Sequence, residues 1–401
     1  MKLAVLGGAG VAMADGRLYT HGSFGRVIEE LAFRHRKVVL AVRGLPLRTV
    51  NEDYLLPGNV TLIPLPAAPT ALRGMLGSRS VARAYREAIA HADRVFVRGV
   101  LVPAVDAIYA ECARQNTPVC HWLVGNPMGL LQSHRRDGWL KDTAGKLFVA
   151  NWERQLHRGH QRARAAYLCN GREIAERHPS AHSYITVSST LREEDFFWRD
   201  DTCSSDPVRV LCLCFIRPEK GVEYLIEAFA HLRTGRKTEL VLSGSRDRYP
   251  RYQAKLNELV EAYKIGERVT WTGQIAPHEV AEQMRAADVF AFPSLSEGTP
   301  RVLVEARANA LPLVTTSVGG IPSSVTDGWD GLLVPAKDPQ AMARGIERLI
   351  ADSELRRLLI ANGFERAKRM TIPRFVDEVI QAFEGLEGIQ GHGLPGGGIE
   401  P

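Results

Sequence analysis

An α/β fold of two doubly wound domains is predicted by three features of this 401-residue sequence. The chain is longer than one ordinary hydrophobic core holds, and two domains of roughly 150–200 residues are expected at such a length. Short apolar runs alternate with amphipathic helical stretches throughout, the pattern of parallel sheets covered by helices on both faces. A polar stretch, "WRDDTCSSDP" at 198–207, interrupts that alternation near the middle. The expected division is a first domain over 1–200, a second over 206–370, one last helix over 371–387 returning to the first domain, and a tail over 388–401. That tail, "GIQGHGLPGGGIEP", is Gly/Pro-rich without periodicity, and disorder is expected there.

The elements follow in order. Strands are expected at "KLAVLGG", "KVVLAV", "RVFVRG", "PVCHWLVG" and "AAYLCN", with helices such as "FGRVIEELAFRH" between them. The second half repeats the plan at "VRVLCLCFI", "ELVLSGS", "VTWTGQ", "VFAFPS", "LPLVTTSVG" and "GLLVP", each followed by a turn and usually a helix. In open parallel sheets, ligands bind beyond the carboxyl ends of the strands, so candidate site residues are sought just after each strand.

Composition narrows the class. An apolar fraction of 45% and a charged fraction of 24% are those of a globular protein, and no apolar run is long enough for a membrane span. The first residues, "MKLAVLGGAGVAMADG", share the outline of a signal peptide, but glycines at 7, 8 and 10 interrupt the apolar region. The same residues read as a first buried strand. Six cysteines show neither a paired spacing nor metal-ligand spacing, which fits buried free thiols in a reducing cytoplasm. Charge is uneven: residues 1–200 hold 27 Lys/Arg against 18 Asp/Glu, or +9, while the remainder balances at −3. A basic first half suits an anionic acceptor or membrane surface, or is simply a solvated face. Nucleic-acid binding lacks interleaved aromatics or a recognisable module.

The stretch "SLSEGTPRVLVEARANALPLVTT" holds two glutamates, Glu297 and Glu305, eight positions apart. Thr299 is expected to cap a helix beginning at Pro300, whose N-terminal N–H groups suit a phosphate. Gly298 allows close approach of a ligand, and Glu305 is placed to accept from vicinal hydroxyls of a ribose. The competing reading for Glu305 is a surface pair with Arg301, four residues earlier. In "FIRPEKGVEYLIEAFA", Arg217 and Lys220 lie in the turn after a strand, a plausible diphosphate clamp. Gly319 and Gly320 mark another strand-to-helix turn, for which plain turn chemistry is the alternative.

Taken in order, "RPEKGVEYLIEAF", "LVLSGS", "VTWTGQI", "AADVFAFPSLSEGTPRVLVEARANALPLVTTSVGGIP" and "DGWDGLLVPAKDP" resemble the donor domain of retaining family 4 glycosyltransferases of the GT-B fold. The resemblance covers about 208–352 and includes the Glu-seven residues-Glu motif; in the first half, "GSFGRVIEELAFRHRKVVLAV" is similar to the family's glycine loop, first helix and second strand. It implies two Rossmann-like domains facing a central cleft, an acceptor-binding first domain and a nucleotide-diphospho-sugar in the second. By position, Arg217 and Lys220 would hold the diphosphate, Glu297 would contact sugar hydroxyls, Gly298 and Thr299 would face sugar or phosphate, and Glu305 would grip the ribose. Gly244 and Ile275 would border the base, Gly22 would let its loop approach the diphosphate, and His121 would sit near the reacting sugar at a strand end. A histidine beside Trp122 is as often a satisfied core residue.

The sequence departs from the family pattern at four places: Phe215 where an Arg is usual, Ala310 for a Gly, Ser323 for an acid, and no Asn-Gly in "VSSTLREEDFF". There is no Asp-x-Asp, so no essential metal and no cofactor are expected. The implied activity is retaining hexosyl transfer in bacterial polysaccharide or glycoconjugate biosynthesis, cytoplasmic or peripheral at the inner membrane face. Two alternatives stand beside it. One is a non-catalytic nucleotide-sugar-binding partner subunit. The other is an NAD-dependent oxidoreductase, against which "GGAGVAM" puts Met13 in the third glycine slot.

Overall fold

The computed structural model describes residues 1–46, 54–66, 79–99, 102–125, 139–187, 189–247 and 249–387. The expected tail at 388–401 lies outside them. The chain divides into unit 1, Met1–Thr186 with the residues from Ile372 onward, and unit 2, Val187–Thr371.

Unit 1 is built on a ten-stranded sheet. Its strands are β1 (Lys2–Leu6), β2 (Val11–Ala14), β3 (Arg17–Thr20), β4 (Lys37–Leu45) and β5 (Tyr54–Leu55). They continue with β6 (Val60–Leu65), β7 (Arg94–Arg98), β8 (Val119–Leu123), β9 (Ala165–Asn170) and β10 (Ser183–Thr186). The order is β10-β9-β8-β7-β1-β4-β2-β3-β5, with β6 pairing β4. All five strands read from the first half are present, because each is an apolar run buried on both faces, as parallel sheets require. Alternation along β1 sends Leu3 and Val5 into one core and Ala4 and Leu6 into the other. The first core is closed by the helices Gly22–Arg34 and Ile372–Glu384, the second by Arg79–Ala90, Val105–Gln115 and Trp139–Arg162.

The sheet is not wholly parallel. β2 and β3 form an antiparallel hairpin, which the sequence reading passed over. Its turn is Asp15-Gly16, both with positive φ (48° and 70°), as the tightest hairpin turn demands. The glycine loop after β1 thus feeds a hairpin, and the first helix starts only at Gly22.

Unit 2 is a six-stranded, all-parallel sheet of β11 (Val208–Leu213), β12 (Thr238–Ser243), β13 (Val269–Gly273), β14 (Val289–Phe292), β15 (Leu313–Thr316) and β16 (Leu332–Val334). All six were expected from the sequence. The order β13-β12-β11-β14-β15-β16 reverses direction between β11 and β14, a topological switch point.

The stretch 198–207, expected to join the domains, is instead part of unit 2. Some of its polar residues are bonded inward. The Arg199 guanidinium donates to the carbonyls of Met284, Arg285, Ala287 and Ala310, and Asp201 receives two bonds from Arg356. Cys203 N donates to Asp288 Oδ1 at 2.7 Å. Asp200, Ser204, Ser205 and Asp206 are exposed, so the polarity marks both inward bonding and surface.

Unit 1 also gathers histidines. His157 and His178 stack at 5.3 Å, and His160 lies 4.0 Å from the Tyr167 ring. Burial lowers both His160 and His178 to about 4, with His157 adding a smaller unfavourable charge effect on each. Because these folded values lie below the unfolded value of about 6.5, their stabilising contribution is complete above that pH and is lost as pH falls toward about 4. The thermal midpoint should therefore fall between pH 6.5 and 4, and His160→Gln should flatten that fall; identical curves for parent and variant would contradict the assignment.

Candidate functional site

The carboxyl ends of β11 and β14 bring two turns together at the unit 2 switch point. After β11, Arg217 precedes a single 3-10 turn, Pro218–Lys220, and Gly221 opens the helix Val222–Ala230. After β14, the chain runs through Ser294, Glu297 and Thr299 into the helix Arg301–Ala308. Leu295 N donates to Glu219 O at 2.9 Å, tying the turns to each other.

Lys220 and Glu297, 77 positions apart in sequence, meet there as an ion pair. Their side chains retain only 13% and 10% of their exposure, so water screens them little. Ser294, fully buried, donates from Oγ to the same Glu297 Oε1 at 2.8 Å. The Lys220 ammonium also lies 5.6 Å from the Phe292 ring centre. The turn is held from below by Gly319 and Gly320. A Cβ on Gly319 would stand 1.9 Å from Glu297 O, and one on Gly320 2.5 Å from Gly298 O. Any side chain there would push Glu297 away from Lys220, so these glycines do more than turn the chain.

Glu305 is half-buried and accepts from Thr190 Oγ1 at 3.1 Å. Arg301 is exposed, and no ion pair joins it to Glu305 among the described residues. The surface-pair reading therefore fails. Thr299 is buried but is not the cap: Pro300 occupies that position with extended backbone and no side-chain cap bond, and the helix proper begins at Arg301. The shift follows from the turn, in which Thr299 is packed beside Gly320.

Arg217 is partly exposed, within 3.1 Å of Glu219 Oε1 and 5.8 Å from the centre of the Phe215 ring. Phe215, two-thirds exposed, is a rim residue and not part of the core. Gly244, immediately after β12, donates to Gly273 O at 2.8 Å, and Ile275 is half-buried just beyond β13. All of these stand at the carboxyl edge of one sheet. Sequence reasoning missed Ser294, Thr190 and the Arg246–Trp271 contact at 4.5 Å on the same edge. Ser294 had a signal, since it ends the strand motif "VFAFPS".

The two first-half candidates are in unit 1. Gly22 is the buried first residue of its helix, capped by His21. His121 is placed otherwise than expected: it lies at the centre of β8, fully buried, with Nε2 3.0 Å from Gly99 O and Nδ1 3.1 Å from Tyr109 OH. Burial lowers it to about 3, so it is a neutral core residue with both ring nitrogens occupied.

Beneath the Glu305 helix lies a buried charge cluster. Arg307, 2% exposed, donates to Asp330 Oδ2 at 2.6 Å, to Ser324 O and to Leu303 O. Arg366 reaches the same carboxylate at 2.9 Å. Burial lowers Arg307 to about 10, partly offset by Asp330.

Residues 197–366 match the profile of the family described as "Glycosyl transferases group 1". A similar relative is the D-inositol 3-phosphate glycosyltransferase of Stackebrandtia nassauensis, 33% identical over 42% of this chain and 39% of its own length. The chain thus spans about two-fifths of the length of that curated relative. Among solved structures, sucrose-phosphate synthase from Thermosynechococcus elongatus is similar with a TM-score of 0.69 at 19% identity, over 96% of this chain and 99% of that one. Anabaena HepE in complex with UDP is similar at 0.69 and 16%, over 96% and 100%. Likeness at these identities establishes the fold, which is GT-B.

Removing the Arg307 side chain would leave Asp330 short of its buried partner. Arg307→Ala should cost about 3–5 kcal/mol of unit 2 stability, read as a lower urea midpoint; an unchanged midpoint would show that the cluster does not anchor the helix.

Proposed function

We propose, from the match of residues 197–366 to the glycosyl transferases group 1 profile within a GT-B chain, that this protein is a retaining glycosyltransferase. It moves a sugar from a nucleotide-diphospho-sugar to a glycan or lipid-linked acceptor in the assembly of a bacterial polysaccharide or glycoconjugate. The observation that carries the reading is the part-buried Lys220–Glu297 pair at the switch point of the unit 2 sheet. Open parallel sheets bind ligands there, and a lysine with a second cation, Arg217, beside it suits a diphosphate. HepE, a structural neighbour, is in complex with UDP, which makes UDP the first probe.

In the free protein Glu297 compensates Lys220. A bound diphosphate takes over that role, freeing Glu297 to accept from sugar hydroxyls. Glu305 accepts from the ribose, and Gly244 and Ile275 border the base. Arg217, Lys220 and the free N–H groups of the helix Arg301–Ala308 stabilise charge on the departing diphosphate as the bond from C1 to its oxygen breaks. The acceptor oxygen attacks from the same face, and its proton passes to the leaving phosphate oxygen. No protein nucleophile is required. These cations supply the charge compensation that a metal provides elsewhere, so turnover is expected to persist in EDTA.

Lys220→Ala should weaken UDP binding at least about tenfold and slow donor turnover. Glu297→Ala should slow turnover about a hundredfold while UDP affinity changes little. Near-parental values for both would exclude the site. A second reading, a donor-binding subunit without turnover, is motivated by exposed Phe215, at the position where the family resemblance implies an Arg. It would be supported by tight UDP binding with no sugar release or transfer.

For a lipid-linked acceptor, unit 1 offers a basic stripe: Arg154, Arg158 and Arg162 are exposed at four-residue spacing on the helix Trp139–Arg162. Trp152 and Leu156 on the same helix are core residues and face away from that stripe. No helix of the described residues is long and apolar enough to cross a membrane. Salt-sensitive sedimentation with anionic vesicles is expected; its absence in low salt would remove membrane docking from the proposal.

A further inference from the structure

The helix Ser353–Lys368 of unit 2 turns one face to solvent. Glu354, Leu358, Ala361, Glu365 and Lys368 follow one another at alternate spacings of four and three, with Arg357 beside them, and all six are exposed. That is the period at which one helix lies against another. Large apolar groups border the stripe. Trp198 packs edge-on against Phe364 at 4.9 Å, while the Trp329 carbonyl accepts from Asn362 and its ring centre lies 5.8 Å from Arg366. Phe364 and Asn362 project to either side of the stripe, so the two tryptophans flank it. Leu358, Trp198 and Trp329 are 49%, 48% and 45% exposed. Five large apolar side chains stand exposed among the described residues of unit 2, and these three gather at one helix. Apolar groups gathered in this way mark an interaction surface, whereas single scattered ones do not.

The charges on the stripe identify the partner. Glu354 stands seven residues before Ala361 and Lys368 seven after; Arg357 stands four before and Glu365 four after. At each mirrored pair of positions the sign is reversed. Laid antiparallel on a second copy about a twofold axis at Ala361, the helix sets Glu354 against Lys368 and Arg357 against Glu365, each pair twice. A parallel pairing would set every charge against its own copy. Ala361 is small enough for the two backbones to approach at the axis. Within one chain these groups hold one another weakly. Glu365 and Lys368 meet at 2.7 Å while 62% and 51% exposed, and Arg357, 62% exposed, is 3.8 Å from Asp201. Exposed pairs of this kind contribute little and leave their groups open to a second partner.

We propose that this face is the interface of a homodimer, in which the Ser353–Lys368 helices of two copies pair antiparallel about Ala361. Leu358, Trp198 and Trp329 supply the apolar contacts, and tryptophan is among the side chains that dominate interface energies. The surface is fixed in advance. The same helix carries Arg366, which shares Asp330 with Arg307 of the helix holding Glu305. The inference is independent of the glycosyl-transfer reading and goes beyond it.

Sedimentation velocity on the full chain from about 1 to about 100 µM tests the proposal. The parent is expected to pass from monomer to dimer in that range, and added salt to move the transition to higher concentration. Arg357→Glu sets acid against acid at both symmetry-related places, and Glu365→Arg sets cation against cation. Each variant alone should lose about a hundredfold in dimer affinity. Mixed in equal amounts, the two variants restore opposite charges at both places, and a heterodimer of near-parental affinity is expected. That rescue separates a lost interface from a lost fold, since a misfolded chain does not recover on mixing. A parent that stays monomeric at about 100 µM overturns the proposal and leaves the face to a different protein. Single variants that dimerise as the parent does, or monomeric variants that fail to pair when mixed, overturn it as well.

Discussion

Two charges withdrawn from water at the end of a sheet are costly unless they satisfy each other. In unit 2 the Lys220 ammonium and the Glu297 carboxylate do so, and much of the surrounding structure keeps them in register. Ser294 orients the carboxylate, the Leu295–Glu219 backbone bond fixes the spacing of the turns, and Gly319 leaves the volume in which the Glu297 carbonyl rests. The pair is a compensated arrangement in which each charge is the other's partner.

The same logic runs beneath the Glu305 helix, where Arg307 and Arg366 share Asp330 inside the core. A buried cluster of this kind does not maximise stability, but it leaves the helix one arrangement in which every charge has a partner. Arg199 acts alike at the start of unit 2, threading four carbonyls and turning a polar stretch into packed structure. Unit 2 is thus positioned by interior arginines as much as by its apolar strands.

Unit 1 shows where residue types mislead. His121 carries the chemistry of a general base, yet both ring nitrogens are occupied within the core, and burial holds it neutral. Tyr85 reads as an ordinary aromatic of an amphipathic helix, yet it brings a buried hydroxyl without a partner among the described residues to the wall of a cavity. In each case the side chain's identity was plain and its surroundings decided its role.

Sequence by itself determined the α/β class, all six strands of unit 2 and the turns that carry Arg217, Lys220, Glu297 and Glu305. The physical reason is local: apolar runs buried on both faces and Gly/Pro-punctuated turns are written in consecutive residues. Only the tertiary structure decided which of those residues meet. That Lys220 pairs Glu297, that Glu305 turns to Thr190 and not to Arg301, that residues 198–207 pack within unit 2, and that His121 is sealed in the core all depend on contacts between segments distant in the chain. Burial and pairing are properties of neighbours in space, and strand order, which no local pattern specifies, sets who those neighbours are.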